Sequence, residues 1–153
     1  MVSATDVARS VRRHLAELGF AVTLVEARPD RVSANDHAEF DDVVDAVDEA
    51  TTATIGDRDV VVATDHDAPG LADVLERVLR TPAGFIGVMG SRRHVGPHVE
   101  QLRSRGVEDA QLARVRSPLG LDLGGRTPEE IALSITAGVV AATHGRGGGW
   151  LDR

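Results

Sequence analysis

Short apolar runs alternate along the chain with longer stretches whose apolar residues recur at helical spacing. The runs at residues 20–25, 59–64 and 84–89 predict strands, and the continuously apolar run at 59–64 is typical of a parallel strand buried on both faces. Between the runs, residues 5–18 and 71–78 carry an apolar stripe and predict amphipathic helices. The first of these helices would be capped by Ser3 or Thr5.

The other segments give weaker or more local signals. We predict polar turns at residues 33–36, a weak strand near residues 43–44 and a short helix ending near Thr51. A helix restarted at Gly96-Pro97 should run to about residue 105, with a short helix over 108–114. Thr127, Pro128 and Glu130 form a capping-box sequence that should start the last helix, and Gly145 should end it.

This alternation predicts an α/β fold, a Rossmann-like doubly wound parallel sheet. The chain has 153 residues, 42% of them hydrophobic, which suits a single domain. We assign the domain to residues 1–145 and expect residues 146–153 to be a flexible glycine-rich tail. In such folds the ligand crevice lies beyond the carboxyl ends of the strands, so candidate site residues should follow strands.

Composition excludes several kinds of chemistry. A net charge of -7 argues against nucleic acid and anionic membranes as partners. The chain has no cysteine, which excludes thiolate metal sites and a cysteine nucleophile. Every basic residue is arginine, which excludes a Schiff-base or P-loop lysine. No run approaches the roughly 20 apolar residues of a membrane span, so we expect a cytoplasmic protein.

Two candidate positions lie near the amino terminus, one before the first helix and one after the first predicted strand. The loop at residues 2–6 precedes the first helix as a phosphate loop would, but it has no glycine, and an ordinary helix cap is the favoured interpretation. Glu26 ends the strand at 20–25, where Rossmann domains bind the ribose hydroxyls of a nucleotide, although a solvated strand end is the alternative.

A polar cluster follows the strand at 59–64. Thr64, Asp65 and His66 could bind a ligand or perform acid–base chemistry, whereas Asp67 is expected to cap the next helix. His94 and His98 are four residues apart, but Gly96-Pro97 interrupts the helix between them. We therefore expect both histidines at the surface and predict no metal site.

The most informative segments follow the strand at 84–89 and precede the last helix. They contribute two groups of candidates for an anion or phosphate site: Gly90, Ser91, Arg92 and Arg93, and then Asp122, Gly124 and Gly125. The alternative is surface arginines beside tight turns. Leu119, Leu121 and Leu123 are expected to point inward, leaving Asp122 to serve the site or to accept hydrogen bonds from the last helix.

The strings GFIGVMGSRR and PLGLDLGGRTPEEIALSI resemble the Rossmann-like C-terminal domain of the XdhC/CoxI family of xanthine dehydrogenase accessory factors. VVVATDHD is similar to another family motif, with Asp65 where a histidine is usual. The resemblance implies a chaperone-type role: handling of the molybdenum cofactor (molybdopterin), its sulfuration, and maturation of a partner molybdenum hydroxylase such as xanthine dehydrogenase.

The chain departs from this family pattern in two ways. Family members usually have an N-terminal domain with a cysteine, and their Rossmann domain opens with an apolar strand and a glycine-rich loop. Here the first strand is truncated, so either the true start lies upstream, or residues 1–3 form a stub strand, or another chain covers the gap. An NAD(P)-dependent oxidoreductase, a non-catalytic nucleotide-binding or assembly module, and a homo-oligomer remain alternatives.

Overall fold

The computed structural model describes residues 1–90 and 97–151. In these ranges the helices are α1 (Asp6–Glu17), α2 (Ala34–Glu39), α3 (Glu49–Ala53), α4 (Leu71–Leu79), α5 (Pro97–Ser104), α6 (Asp109–Leu112) and α7 (Pro128–Thr143). The strands are β1 (Thr23–Val25), β2 (Asp42–Val44), β3 (Val60–Ala63), β4 (Phe85–Val88) and β5 (Val115–Arg116). A 3₁₀ turn at Pro29–Arg31 follows β1.

All strand pairs are parallel, and residues 1–3 join two groups of strands into one surface. β1 pairs with β2, while β3, β4 and β5 form a second group. Val2 bridges both groups, because it pairs in parallel with Val25 of β1 and with Ala63 of β3. Residues 1–3 therefore lie in the position of a stub strand, one of the three alternatives given above. The order of strands across the sheet is β2, β1, stub, β3, β4, β5.

The sheet is covered on both faces, as the Rossmann-like prediction requires. On one face α1 packs on α7, and Val11, Leu24 and Ile135 are fully buried between these helices and the strands. On the other face α4 and α5 pack together, burying Leu75 and Leu102. The three predicted strands are confirmed, although β1, β3 and β4 are each shorter than the apolar runs that predicted them.

The capping predictions have mixed outcomes. Thr5 caps α1, and Thr127 and Glu130 form the capping box of α7, as predicted. The turns expected at residues 33–36 are wrong, because the Ser33 side chain accepts a hydrogen bond from the Asp36 N–H and starts α2 instead. The predicted weak strand near residues 43–44 is present as β2.

The expected cap by Asp67 is also wrong. The segment from Asp65 turns on itself, with the Ala68 N–H donating to the Asp65 carbonyl, and α4 begins only at Leu71. Gly70 is the N-cap, with a φ of 75° that favours glycine. The Asp67 carboxylate is left at the surface beside His66, with 3.4 Å between His66 Nε2 and Asp67 Oδ2.

Two expectations about burial are contradicted. His98 was expected at the surface, but it is 2% exposed, because it lies one helical turn before the buried Leu102 on the same face of α5. Leu123 was expected to point inward, but it is 54% exposed. The Leu121 N–H donates to the Ser134 carbonyl of α7, so Leu121 is held against the helix, whereas the Leu123 side chain two residues later is not covered. His94 lies outside the described residues.

Candidate ligand crevice

The carboxyl ends of the stub strand, β1 and β3 meet at one edge of the sheet. These strand ends place Ser3, Glu26 and Thr64 at the edge of the sheet where the connections that follow the strands diverge. A cavity of about 240 Å³ opens there, and its lining includes Ser3, Glu26, Arg28 and Arg77. Two of the sequence-predicted site residues, Glu26 and Thr64, are thus brought to the same end of the sheet.

The turn between the stub strand and α1 has an unusual backbone. Ser3 has a φ of 75°, the left-handed region that side-chain-bearing residues seldom adopt, and it is buried. The amides that follow are already engaged: the Ala4 N–H donates to Glu26 Oε2 at 2.9 Å, and the Thr5 N–H donates to the Ser3 carbonyl at 3.2 Å. This turn lies where a phosphate loop would lie, between the first strand and α1, but its first amides bind the protein itself.

Thr64 holds the same turn from the other side. It is fully buried at the end of β3, and its Oγ1 lies 2.8 Å from Thr5 Oγ1 and 3.2 Å from the Ser3 carbonyl. The Thr64 hydroxyl can donate to the carbonyl while accepting from Thr5. In this arrangement Thr64 fixes the start of α1 against β3.

Glu26 is a buried carboxylate with four hydrogen bonds. Besides Ala4, it accepts from the Arg28 N–H at 3.0 Å, from Arg28 Nε at 2.7 Å and from Arg28 Nη2 at 2.9 Å. Burial alone would raise the pKa of Glu26, but the hydrogen bonds from Arg28 and Ala4 outweigh it and hold the pKa below its ordinary value. The ionised carboxylate is therefore fully coordinated within the chain.

Arg28 extends this network to the segment after β3. Its Nη2 lies 3.4 Å from Asp65 Oδ2, and Arg31 Nη1 lies 3.9 Å from the same oxygen. Asp65 Oδ1 accepts the Asp67 N–H at 3.1 Å. Asp65 is thus a link between the segments that follow β1 and β3, the two sides of the crevice.

The histidines near this edge have unused nitrogens. Both ring nitrogens of His98 and Nδ1 of His66 are buried without a hydrogen-bond partner among the described residues. Burial, with a smaller contribution from the charge of His66, lowers the pKa of His98, so His98 is neutral at pH 7. Over residues 1–90 and 97–151, no three metal-ligating side chains are grouped so as to hold an ion.

The remaining candidates follow β4 and β5. Gly90 lies beside Ser117, since a Cβ on Gly90 would be 3.2 Å from the Ser117 hydroxyl. Gly124 has a φ of 74°, and Gly125 packs against Glu130 in the first turn of α7. Asp122 is exposed in the segment between β5 and α7. Ser91, Arg92 and Arg93 lie outside the described residues, so their place in an anion site stays a prediction.

Sequence reasoning missed three residues of this edge. Ser3 was considered as a helix cap and as part of the loop at residues 2–6, but its left-handed backbone was not predicted, because nothing in the sequence marks a serine that takes a glycine-like conformation. Arg28 was not among the candidate residues, although its spacing of two residues from Glu26 at a strand end was the available signal. Arg77 was assigned to the helix at 71–78 without a role.

A doubly wound parallel sheet with a cavity where the strands diverge defines the class of the fold: a Rossmann domain. The model of the XdhC Rossmann domain family matches residues 1–139, and the chain belongs to this family. Within the described residues, no helix is sufficiently long and apolar to cross a membrane.

Individual relatives are longer than this chain. The Escherichia coli K12 protein YqeB, described as uncharacterized, is 29% identical over 160 residues, a match that covers 97% of this chain and 28% of YqeB. A crystal structure of a Bacillus halodurans protein described as a xanthine dehydrogenase matches with a TM-score of 0.74 and 21% identity, covering 94% of this chain and 43% of that protein. The chain thus spans less than half of either relative, and the structural match shows the fold.

Proposed function

We propose that this chain is an accessory domain that binds the molybdenum cofactor in the crevice and serves the maturation of a molybdenum hydroxylase of the xanthine dehydrogenase type. Its membership of the XdhC Rossmann family supports this role over that of an independent oxidoreductase. The chemistry of the crevice supports it as well, because Glu26, Arg28 and Thr64 are engaged in hydrogen bonds that hold the fold and are not free for acid–base catalysis.

One observation carries the choice of ligand. A dinucleotide in a Rossmann domain needs the first turn for its pyrophosphate and the acid at the end of the next strand for its ribose. Here the Ala4 N–H of that turn donates to Glu26, the acid in question, and Arg28 fills the remaining acceptor sites of the carboxylate. The turn and the acid that a dinucleotide would need thus bind each other, which disfavours NAD(P) binding in the crevice.

The cavity residues fit a pterin that carries a phosphate. Arg77 lines the cavity and makes no ion pair with another described residue, so it is available for a phosphate group. Asp45 also lines the cavity and is exposed. A carboxylate can accept both N–H groups of the aminopyrimidinone edge of a pterin. The cofactor would supply the metal and its sulfur ligands, while the chain would hold the pterin and the phosphate.

Isothermal titration calorimetry of the chain with anaerobically prepared molybdopterin cofactor measures the binding affinity and tests this proposal. Replacing Arg77 by Gln should weaken binding about tenfold, since one charge-assisted contact is lost. Arg58→Gln is the matched control, because Arg58 is an exposed arginine before β3, at the opposite end of the strand from the crevice. Equal affinities of the two variants would remove Arg77 from the site.

A further inference from the structure

Two histidines lie at the carboxyl edge of the sheet, and neither lines the cavity of the crevice. His66 follows the end of β3, and His98 is in the first turn of α5, the helix that follows β4. β3 and β4 are adjacent parallel strands, with Ala63 opposite Val88. The segments that follow the two strands therefore leave the same edge of the sheet, and the proposed cofactor site makes no use of their histidines.

His98 is a buried polar side chain that the fold does not explain. It is 2% exposed, and both of its ring nitrogens are buried without a hydrogen-bond partner among the described residues. A neutral imidazole has one donor and one acceptor, and burying both without partners costs free energy. A leucine beside Leu102 would fill the position without that cost. The imidazole is accounted for if its nitrogens bind a ligand.

His66 divides its two nitrogens between the interior and a carboxylate. Its Nδ1 is buried without a partner among the described residues, whereas its Nε2 lies 3.4 Å from Asp67 Oδ2. Metal-binding histidines commonly have this arrangement, with one nitrogen on the ion and the other directed at a carboxylate that orients the ring. The His66 side chain is 35% exposed, so an ion can reach Nδ1 from solvent.

The two imidazoles are neighbours. α5 packs against α4, the helix that begins after the His66 turn. After burial, the charge of His66 is the second cause that lowers the pKa of His98. A charge has such an effect only on a group close to it. One ligand can therefore contact nitrogens of both rings.

We propose that His66 and His98 form a two-histidine site for a divalent transition-metal ion, such as Zn²⁺, with His66 binding through Nδ1. Imidazole nitrogens suit zinc, copper and nickel, whereas Mg²⁺ and Ca²⁺ prefer oxygen ligands. Asp67 would orient His66 from outside the coordination sphere. Two protein nitrogens leave positions on a four-coordinate ion open, and water or a small anion would occupy them.

Zinc titration of the chain, purified without a polyhistidine tag, tests the site. Calorimetry should show one Zn²⁺ bound per chain. At about 100 times its Kd, Zn²⁺ should raise the Tm by about 5 °C, because it binds the folded state. The ¹⁵N resonances of the His66 and His98 rings should shift during the titration. Mg²⁺ should produce none of these changes.

Three substitutions assign the ligands. His66→Gln and His98→Leu should each weaken Zn²⁺ binding about tenfold or more, because each removes one of the two protein nitrogens. Without metal, His98→Leu should melt at or above the Tm of the parent, since it removes an unsatisfied buried imidazole. His14→Gln is the matched control. His14 Nδ1 is also buried without a partner among the described residues, but it lies in the last turn of α1, on the opposite face of the sheet.

The same experiments can overturn the proposal. A parent chain that shows no saturable Zn²⁺ binding would exclude the site. Parental affinity in either His66→Gln or His98→Leu would remove that residue and with it the two-histidine site. If His98→Leu does not fold, His66→Gln decides alone, because His66 is partly exposed. An equal loss of affinity in His14→Gln would show that the ion binds elsewhere.

Discussion

Glu26 and Arg28 form a bidentate ion pair at the edge of the crevice. Arg28 Nε lies 2.7 Å from Glu26 Oε1, and Arg28 Nη2 lies 2.9 Å from Glu26 Oε2. The Glu26 side chain is 2% exposed and the Arg28 side chain 24%. This pair joins the segment after β1 to the turn before α1, because Glu26 also accepts the Ala4 N–H. The shape of the crevice thus depends on a buried carboxylate that remains ionised.

Removing the arginine should destabilise the domain. Arg28→Gln leaves the Glu26 carboxylate buried with fewer donors, so we expect the free energy of unfolding to fall by about 2 kcal/mol or more. Urea denaturation followed by circular dichroism measures this change. Arg31→Gln is the matched control, since Arg31 is exposed and 3.9 Å from its nearest carboxylate oxygen. Equal losses in the two variants would refute a special role for Arg28.

The pair between Arg9 and Asp36 predicts acid sensitivity. Hydrogen bonds from Arg9, at 2.8 Å from its Nε, hold the pKa of Asp36 far below its ordinary value. In the unfolded chain Asp36 should titrate near 3.9. Its contribution to stability is therefore complete above about pH 4 and is lost as the pH falls below that. Denaturation midpoints measured from pH 6 to pH 2 should show this loss.

Asp36→Asn supplies the comparison for that titration. The amide cannot ionise, so the variant should be less stable at pH 6 and should lose less stability than the parent chain on acidification. The two curves should therefore converge at low pH. Parallel curves over the whole range would mean that other carboxylates account for the acid sensitivity.

The backbone of Ser3 predicts a stabilising substitution. Glycine adopts a φ of 75° without steric cost, whereas serine does not, so Ser3→Gly should raise the free energy of unfolding by about 1 kcal/mol. Ser3→Ala keeps the Cβ and should give no such gain. Ser3→Val should be destabilising, since a branched side chain disfavours this region further. A Gly variant no more stable than the Ala variant would argue against backbone strain at this position.

The arginines after β4 remain a prediction from sequence. Replacing Arg92 and Arg93 together by Ala should weaken binding of a phosphate-bearing ligand more than it weakens folding. Calorimetric affinity and thermal melting, measured on the same preparation, separate the two effects. Unchanged affinity would exclude both residues from the site.

The sequence was sufficient where one local signal determined the structure. The continuously apolar run at 59–64 has a single stable location, a strand buried on both faces, and the capping box at Thr127 fixes the start of α7 within one turn. The short helix α2 was not predicted because six residues carry too little apolar periodicity to mark a helix. Its start depends on a reciprocal bond between Ser33 and Asp36, and Arg9 stabilises it from α1.

The sequence predicted where the candidate site residues lie in the fold, but not which side chains they contact. Glu26 and Thr64 lie where the ends of parallel strands must converge, which topology alone predicts. Their hydrogen bonds from Arg28 and Thr5 were not predicted, because packing determines which donors reach a buried carboxylate or hydroxyl. The burial of His98 was not predicted for the same reason, since it follows from the position of Leu102 in the core.

The proposed function requires that the crevice hold a phosphate-bearing pterin in preference to a dinucleotide. Parallel calorimetric titrations of the unmodified chain with molybdopterin cofactor, NADH and NADPH, under anaerobic conditions and at one salt concentration, test it most directly. We expect saturable one-to-one binding of the cofactor, with affinity at least tenfold above that for either nucleotide. Tighter binding of NADH or NADPH would contradict it, because the amide and carboxylate those ligands require would then have to be released from each other.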